Sequence, residues 1–328
     1  MIDPLMPASL TASRLAIVSG KGGVGKTTVS AALALAAGRA GKRVLLVEVE
    51  QRQAIAPLFG ERLIGYEERR LAPNVTAISV EPDEALVEYL YLFYGIGRVG
   101  KVLRGTKAVD FATNVAPGLR DILLIGKVKE AERRRQEGRY VYDLIVLDAP
   151  PTGRLPRFLD APRAVTELVS SGPIRQQAQG VLDMVTDPKR CRVVLVTLPE
   201  DMPVRETVDA ADALAKMGVA VGPIVINSVL PEVFSPSKLK VLAKDAATPL
   251  AADAEQAGIR LTEDAVDGLA RVTSMHARKT LSQRGAIAEL DRETSIPSLH
   301  LPYIFSPRMG REEIDRLSTE LEAQGMVG

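Results

Sequence analysis

Short, nearly unbroken apolar runs alternate with helix-length segments along most of the chain. Residues 14–19 (R-L-A-I-V-S) predict a short buried strand, and 26–39 an alanine-rich helix that stops near Gly41. Further strands are predicted at 44–49 (V-L-L-V-E-V) and 75–80. A helical region follows over about 83–138, broken at Gly95, Gly97, Gly100, Gly105 and the Pro117-Gly118 pair. The run 144–147 predicts a strand ending in Asp148, with helices after it as far as Asp187. Strands at 192–197 and 221–227 flank a helix at 204–217. Residues 231–295 read as helices, 299–304 as a last strand, and 311–323 as an acidic amphipathic helix. Strands alternating with helices predict an α/β fold, a doubly wound and mostly parallel sheet covered on both faces. One domain over 1–328 is expected, with helical insertions at about 83–138, 155–187 and 231–295.

Composition narrows the function more than the fold. The 328-residue chain is 46% apolar and 25% charged, which suits a sizeable core. Its 42 basic and 41 acidic residues leave a net charge of +1, so nucleic acid is not expected as a partner. Cys191 is the one cysteine, which excludes a disulfide within the chain and makes a cytoplasmic setting the simplest expectation. With His276 and His300 it supplies too few ligands for a zinc site of the usual kind. Residues 1–13 lack the basic start and apolar run of a signal peptide. No stretch approaches the length of a membrane span, so direct membrane insertion is not expected.

The candidate chemistry begins at Gly20-Lys21-Gly22-Gly23-Val24-Gly25-Lys26-Thr27-Thr28. The spacing G-x-x-x-x-G-K-T, between a predicted strand and a predicted helix, is that of a P-loop. Gly22, Gly23, Val24 and Gly25 can turn successive backbone N–H groups towards phosphate oxygens, and the helix from Lys26 adds its positive end. Lys26 is expected to reach the β- and γ-phosphates and Thr27 to offer its hydroxyl to Mg²⁺, with Thr28 completing the binding set. The cofactors expected are therefore ATP or ADP and Mg²⁺.

Lys21, directly after the first glycine, marks the deviant Walker A group, so the loop resembles that of partitioning, nitrogenase-iron and arsenite-pump ATPases. Residues 148–153 read D-A-P-P-T-G, and 152–159 (T-G-R-L-P-R-F-L) resemble the second switch of the arsenite-pump and tail-anchored-protein-targeting ATPase family. Arg154 stands where that family usually has histidine. Pro199-Glu200 with Glu206-Thr207, Val225-Ile226-Asn227 and Leu301-Pro302 resemble further segments of the same family. The resemblance runs from Leu15 to the C-terminus. It implies that Lys21 crosses a dimer interface to the nucleotide of the other subunit. It also implies that Asp148 holds Mg²⁺ through water, and that Asn227 and Pro302 contact adenine. The partners implied are a second copy or a paralogue, so a homodimer or heterodimer, and a protein client or membrane-protein partner.

Three departures qualify this resemblance. Glu50 falls where the family has the aspartate that orients the attacking water, and Gln51 and Arg52 replace its Pro-Ala. The extra methylene displaces the carboxylate, and an error of about 1 Å can cost about a hundredfold in rate. Glu48, on the same face of the strand, is a second candidate. Residues 228–290 hold no cysteine, which excludes a zinc-clamped dimer and disfavours arsenite binding. The segment 160–189 is short and has one methionine, Met184, so a large apolar client groove is not expected there. An ATPase coupling Mg·ATP to dimer rearrangement and a protein partner leads. A slow nucleotide-bound scaffold beside a paralogous ATPase is the alternative. A partitioning-type ATPase is disfavoured by the acidic final helix. The aromatic stretch 86–94 is read as a helix buried against its neighbours, and 130–137 (E-A-E-R-R-R-Q-E) as a solvated helix face.

Overall fold

A computed structural model describes residues 13–49, 53–94 and 118–327 of the chain. Its centre is an eight-stranded sheet. In chain order the strands are β1 (Leu15–Gly20), β2 (Val44–Val49), β3 (Arg69–Ala72) and β4 (Val75–Val80). After a separate two-stranded hairpin, β5 (Arg135–Gln136) and β6 (Arg139–Tyr140), come β7 (Leu144–Asp148), β8 (Cys191–Thr197), β9 (Ile224–Val229) and β10 (Ser298–Pro302). The spatial order is β10-β9-β8-β1-β7-β2-β4-β3, parallel throughout except for the β3–β4 pair. This is the α/β, mostly parallel arrangement that the apolar pattern predicts.

Every residue of β1, β2 and β7 is buried, which is why these strands read as continuous apolar runs. Alternate side chains feed two cores. Leu15 and Ile17 join one with Leu124, Phe158 and Val181. Ala16 and Val18 join the other with Val29, Leu33, Leu317 and Leu321. The helix α1 (Lys26–Arg39) lies between the sheet and the terminal helix Arg311–Ala323. It is buried nearly all round, so it carries small side chains rather than a polar stripe. At Gly38 an added Cβ would stand 2.7 Å from Val75 Cγ2, so the helix approaches β4 through a glycine.

The apolar pattern missed β3 because an edge strand of sequence R-R-L-A has little to bury. The described parts of 83–138 are helical as far as Arg133, and a hairpin takes the place of helix beyond it. The region contains α3 (Pro82–Tyr94), α4 (Leu119–Arg133) and the β5–β6 hairpin, whose turn uses Glu137 (φ 51°) and Gly138 (φ 77°). Residues 95–117, with the glycine breaks and Pro117 of the sequence reading, lie outside the described residues, as do the side chains of 89–94. The run 130–137 is a solvated helix face only in part: α4 ends at Arg133, and Arg133, Arg135, Gln136 and Glu137 are exposed. Lys129 and Glu132 are buried, and Glu132 takes ion pairs from Arg14 (3.4 Å) and Arg190 (2.8 Å). Beyond β7 lie α5 (Leu155–Leu168), α6 (Pro173–Thr186) and, after β8, α7 (Asp201–Lys216). The region 231–295 is helical, as the sequence predicts, and has a small core of its own around Leu239, Leu242 and Ala277. No described helix is long and apolar enough to cross a membrane.

Candidate functional site

The site forms where β1 and β7 end side by side, with Val18 opposite Asp148 in the register. Carboxyl ends of parallel strands, at a change in strand order, are where open α/β sheets form binding crevices. From β1 the chain turns through Lys21–Gly25 into α1. Gly23 (φ 86°) and Gly25 (φ 92°) take the left-handed conformation that favours glycine. An added Cβ at Gly22 or Gly23 would meet nothing within 4 Å, so both open onto free space. At Gly20 it would meet the Val196 carbonyl at 2.1 Å, and at Gly25 the Asn227 Nδ2 at 2.3 Å. Val24, 1% exposed, pins the loop to the core between these points.

Lys26 is folded over this turn, its Nζ donating to the Lys21 carbonyl (3.0 Å). Thr27 Oγ1 donates to Asp148 Oδ2 (2.7 Å), and Ser30 Oγ lies 3.3 Å from Asp148 Oδ1. Ser30 also donates to the Lys26 carbonyl (2.9 Å), so it ties the helix start to the carboxylate. The sequence reading did not pick out Ser30, although it stands three residues after Thr27 on the same helix face. Thr28 is half-buried beside them. Among the described residues no three His, Cys, Asp or Glu gather to hold a metal. A threonine hydroxyl against a buried carboxylate, both hard oxygen ligands, nonetheless suits Mg²⁺ bound together with phosphate. The open glycine turn likewise suits phosphate oxygens.

The loop after β7 is fastened to β1 and the turn. Ser19 Oγ donates to the Pro150 carbonyl (2.6 Å) and Thr152 N–H to the Gly20 carbonyl (3.2 Å). Arg154 ends the loop and donates from Nη2 to Asp121 Oδ1 (2.7 Å) on α4. Burial pushes the Asp121 carboxyl above its usual range, opposed by Arg120 and Arg157.

The remaining candidates fall at different distances from this centre. Asn227, 8% exposed, donates from Nδ2 to the Val24 carbonyl (2.9 Å) and so braces the turn from β9. Pro302 ends the edge strand β10, paired with Val229, two residues past Asn227. Lys21 Nζ donates to Glu206 Oε1 (2.6 Å) on α7 of the same chain. Glu50, Gln51 and Arg52 lie outside the described residues. Glu48, fully buried, accepts from Ala54 N–H (2.7 Å) and Ile55 N–H (3.2 Å), so it fixes the start of the short helix α2 (Ile55–Leu58).

A family model described as anion-transporting ATPase, ArsA_ATPase, matches residues 13–177 and 171–248. The chain belongs to the ArsA ATPase family. That places it among ATPases, and the glycine turn, Lys26, Thr27 and Asp148 all fall within the matched residues. The chain is 40% identical to ATPase BagA of Mycobacterium tuberculosis over 331 residues, covering 98% of this chain and 96% of BagA. It is 28% identical to a putative arsenical pump-driving ATPase of Aquifex aeolicus, over 67% of this chain and 81% of that protein. To ATPase GET3 of Kluyveromyces lactis it is 24% identical, over 70% of this chain and 76% of GET3.

Proposed function

We propose that the chain binds and hydrolyses Mg·ATP at the Gly20–Thr28 turn, acting as a dimer in the cytoplasm and passing the nucleotide state to a protein partner. The observation that carries this reading is the Thr27–Asp148 contact of 2.7 Å beside the open glycine turn. Phosphoryl transfer needs positioned charge more than covalent help from the protein. Backbone N–H groups from Gly22 to Gly25 hold phosphate oxygens, and Lys26 leaves the Lys21 carbonyl to neutralise the β- and γ-oxygens. Thr27 and Asp148 hold Mg²⁺, directly and through water, and Mg²⁺ when bound supplies charge neutralisation at the phosphates. Asn227 offers its Oδ1 to adenine while its Nδ2 braces the turn, and Pro302 closes the adenine side.

Glu50 stands where the resembled family has aspartate, and Lys21 is held within its own subunit by Glu206. Glu50 orients the attacking water from one methylene further out than aspartate, so hydrolysis is slow. Lys21 leaves Glu206 to reach the nucleotide of a second subunit, a copy of this chain or a paralogue. The Lys21–Glu206 pair is half-exposed, and such pairs contribute about 0–1 kcal/mol, too little to prevent the exchange. The single methionine of 160–189 favours a partner other than a long apolar client segment. A nucleotide-bound scaffold with no turnover is the second reading, and Glu50 is what favours it.

Phosphate release from Mg·ATP by the purified chain, with light scattering in the same buffer, tests the proposal. The expected result is slow, Mg²⁺-dependent release that Thr27→Ala abolishes, with nucleotide-dependent dimers. Binding without release selects the scaffold. Release that survives Thr27→Ala overturns the assignment of the site.

A further inference from the structure

We propose that the Arg154–Asp121 ion pair is the link through which movement of the loop after Asp148 reaches helix α4 (Leu119–Arg133), with Arg154 and Asp121 as positioning residues. This rests on the nucleotide-site reading above. The segment from Asp148 to Arg154 is held at both ends. Its near end is tied to the phosphate turn by Thr27 Oγ1–Asp148 Oδ2 (2.7 Å) and Thr152 N–Gly20 O (3.2 Å). Its far end is tied to α4 by Arg154 Nη2–Asp121 Oδ1 (2.7 Å). Only Gly153 separates the last near tie from the far one, so a shift of Thr152 is delivered to Arg154 with little slack.

The receiving end is suited to respond. Asp121 lies in the first turn of α4 with its side chain 10% exposed, where a carboxylate and a planar guanidinium make a charge-assisted contact with a defined direction. Arg154 is also the cap residue of α5 (Leu155–Leu168), and Phe158 N–H donates to its carbonyl (3.0 Å). Helices α4 and α5 share a core that contains Leu124, Val128, Phe158 and Leu159. Packed cores shift between discrete arrangements rather than deforming smoothly, so this core holds α4 and α5 in one arrangement until the directed pull of Arg154 on Asp121 moves α4 to another. The resembling family usually has histidine at this position, so the guanidinium tie is a property of this chain's own sequence. Asp121 has no part in holding nucleotide, which makes the tie separable from binding.

Hydrogen exchange on the whole protein, with and without Mg²⁺ and a non-hydrolysable ATP analogue, tests the link. In the parent the nucleotide should change exchange at 20–28, at 148–158 and at 119–133. In Asp121→Asn the first two changes should remain and the third be lost, with analogue affinity within about twofold of the parent by calorimetry. The charge swap Asp121→Arg with Arg154→Asp should restore the change at 119–133. Arg154→Gln gives the same comparison from the more exposed side if Asp121→Asn unfolds. A full change at 119–133 in both single variants, or a parent that changes at 20–28 and 148–158 alone, would overturn the link. No change at 20–28 in the parent would instead overturn the nucleotide site itself, and the link with it.

Discussion

Gly25 carries two constraints that no side chain meets together: φ is 92°, and a Cβ would stand 2.3 Å from Asn227 Nδ2. Gly25→Ala should therefore cost about 1–2 kcal/mol in backbone strain alone, and more from the displaced asparagine. Thermal unfolding should show a drop in Tm together with weaker nucleotide binding, whereas an unchanged Tm would mean that the turn is not held as described. Cys191 gives a residue-scale test by pH. Burial pushes its thiol up to about 12, so the folded state holds the proton that the unfolded chain gives up near its ordinary value. Its contribution to stability is then fully present below about pH 9 and is lost as pH rises towards about 12. At pH 8 the native thiol should resist a thiol-specific reagent that reacts at once in denaturant. Rapid labelling of the native protein would show that Cys191 is accessible.

At the scale of elements, Glu48 shows how a strand end shapes the loop beyond it. Its carboxylate is fully buried and holds two backbone N–H groups at the start of α2. Glu48→Ala leaves both without their acceptor, which should cost about 1–3 kcal/mol and speed hydrogen exchange across 53–58. Unchanged exchange there would free Glu48 for the water-orienting role that the sequence also allows. The same scale separates what the sequence made legible from what it hid. Strands β1, β2 and β7 are buried on both faces and leave an apolar signature, and the phosphate turn is a local motif complete within Gly20–Thr28. Strand β3 lies at the sheet edge and the β5–β6 hairpin has two residues on each side, so neither carries a period to detect. The contacts Asn227–Val24, Lys21–Glu206 and Arg154–Asp121 span 203, 185 and 33 residues, and arise only once the strand order brings them together. The run 130–137 misled at Glu132, which is buried and pairs with Arg14 and Arg190 across the fold, whereas Arg133, Arg135 and Glu137 do face water.

The described residues form a sheet with one core on each face, a small third core within 231–295, and the candidate chemistry gathered at the ends of the central strands. In the proposed dimer, Lys21→Ala should keep nucleotide binding but lose any partner-stimulated turnover, while equal stimulated rates would remove the cross-subunit role. Glu50→Gln should lower the single-turnover rate at least about tenfold, or about 1.4 kcal/mol, with binding unchanged. A variant that matches the parent would leave Glu50 without a catalytic part. The central claim is that the turn ending in Lys26 binds Mg·ATP, and calorimetric titration of Mg·ATP into the parent and Lys26→Ala tests it most directly. Loss of a charge-assisted contact of about 1.5–3 kcal/mol predicts affinity lower by about tenfold to a hundredfold in the variant. Equal affinity in the two proteins would contradict the account.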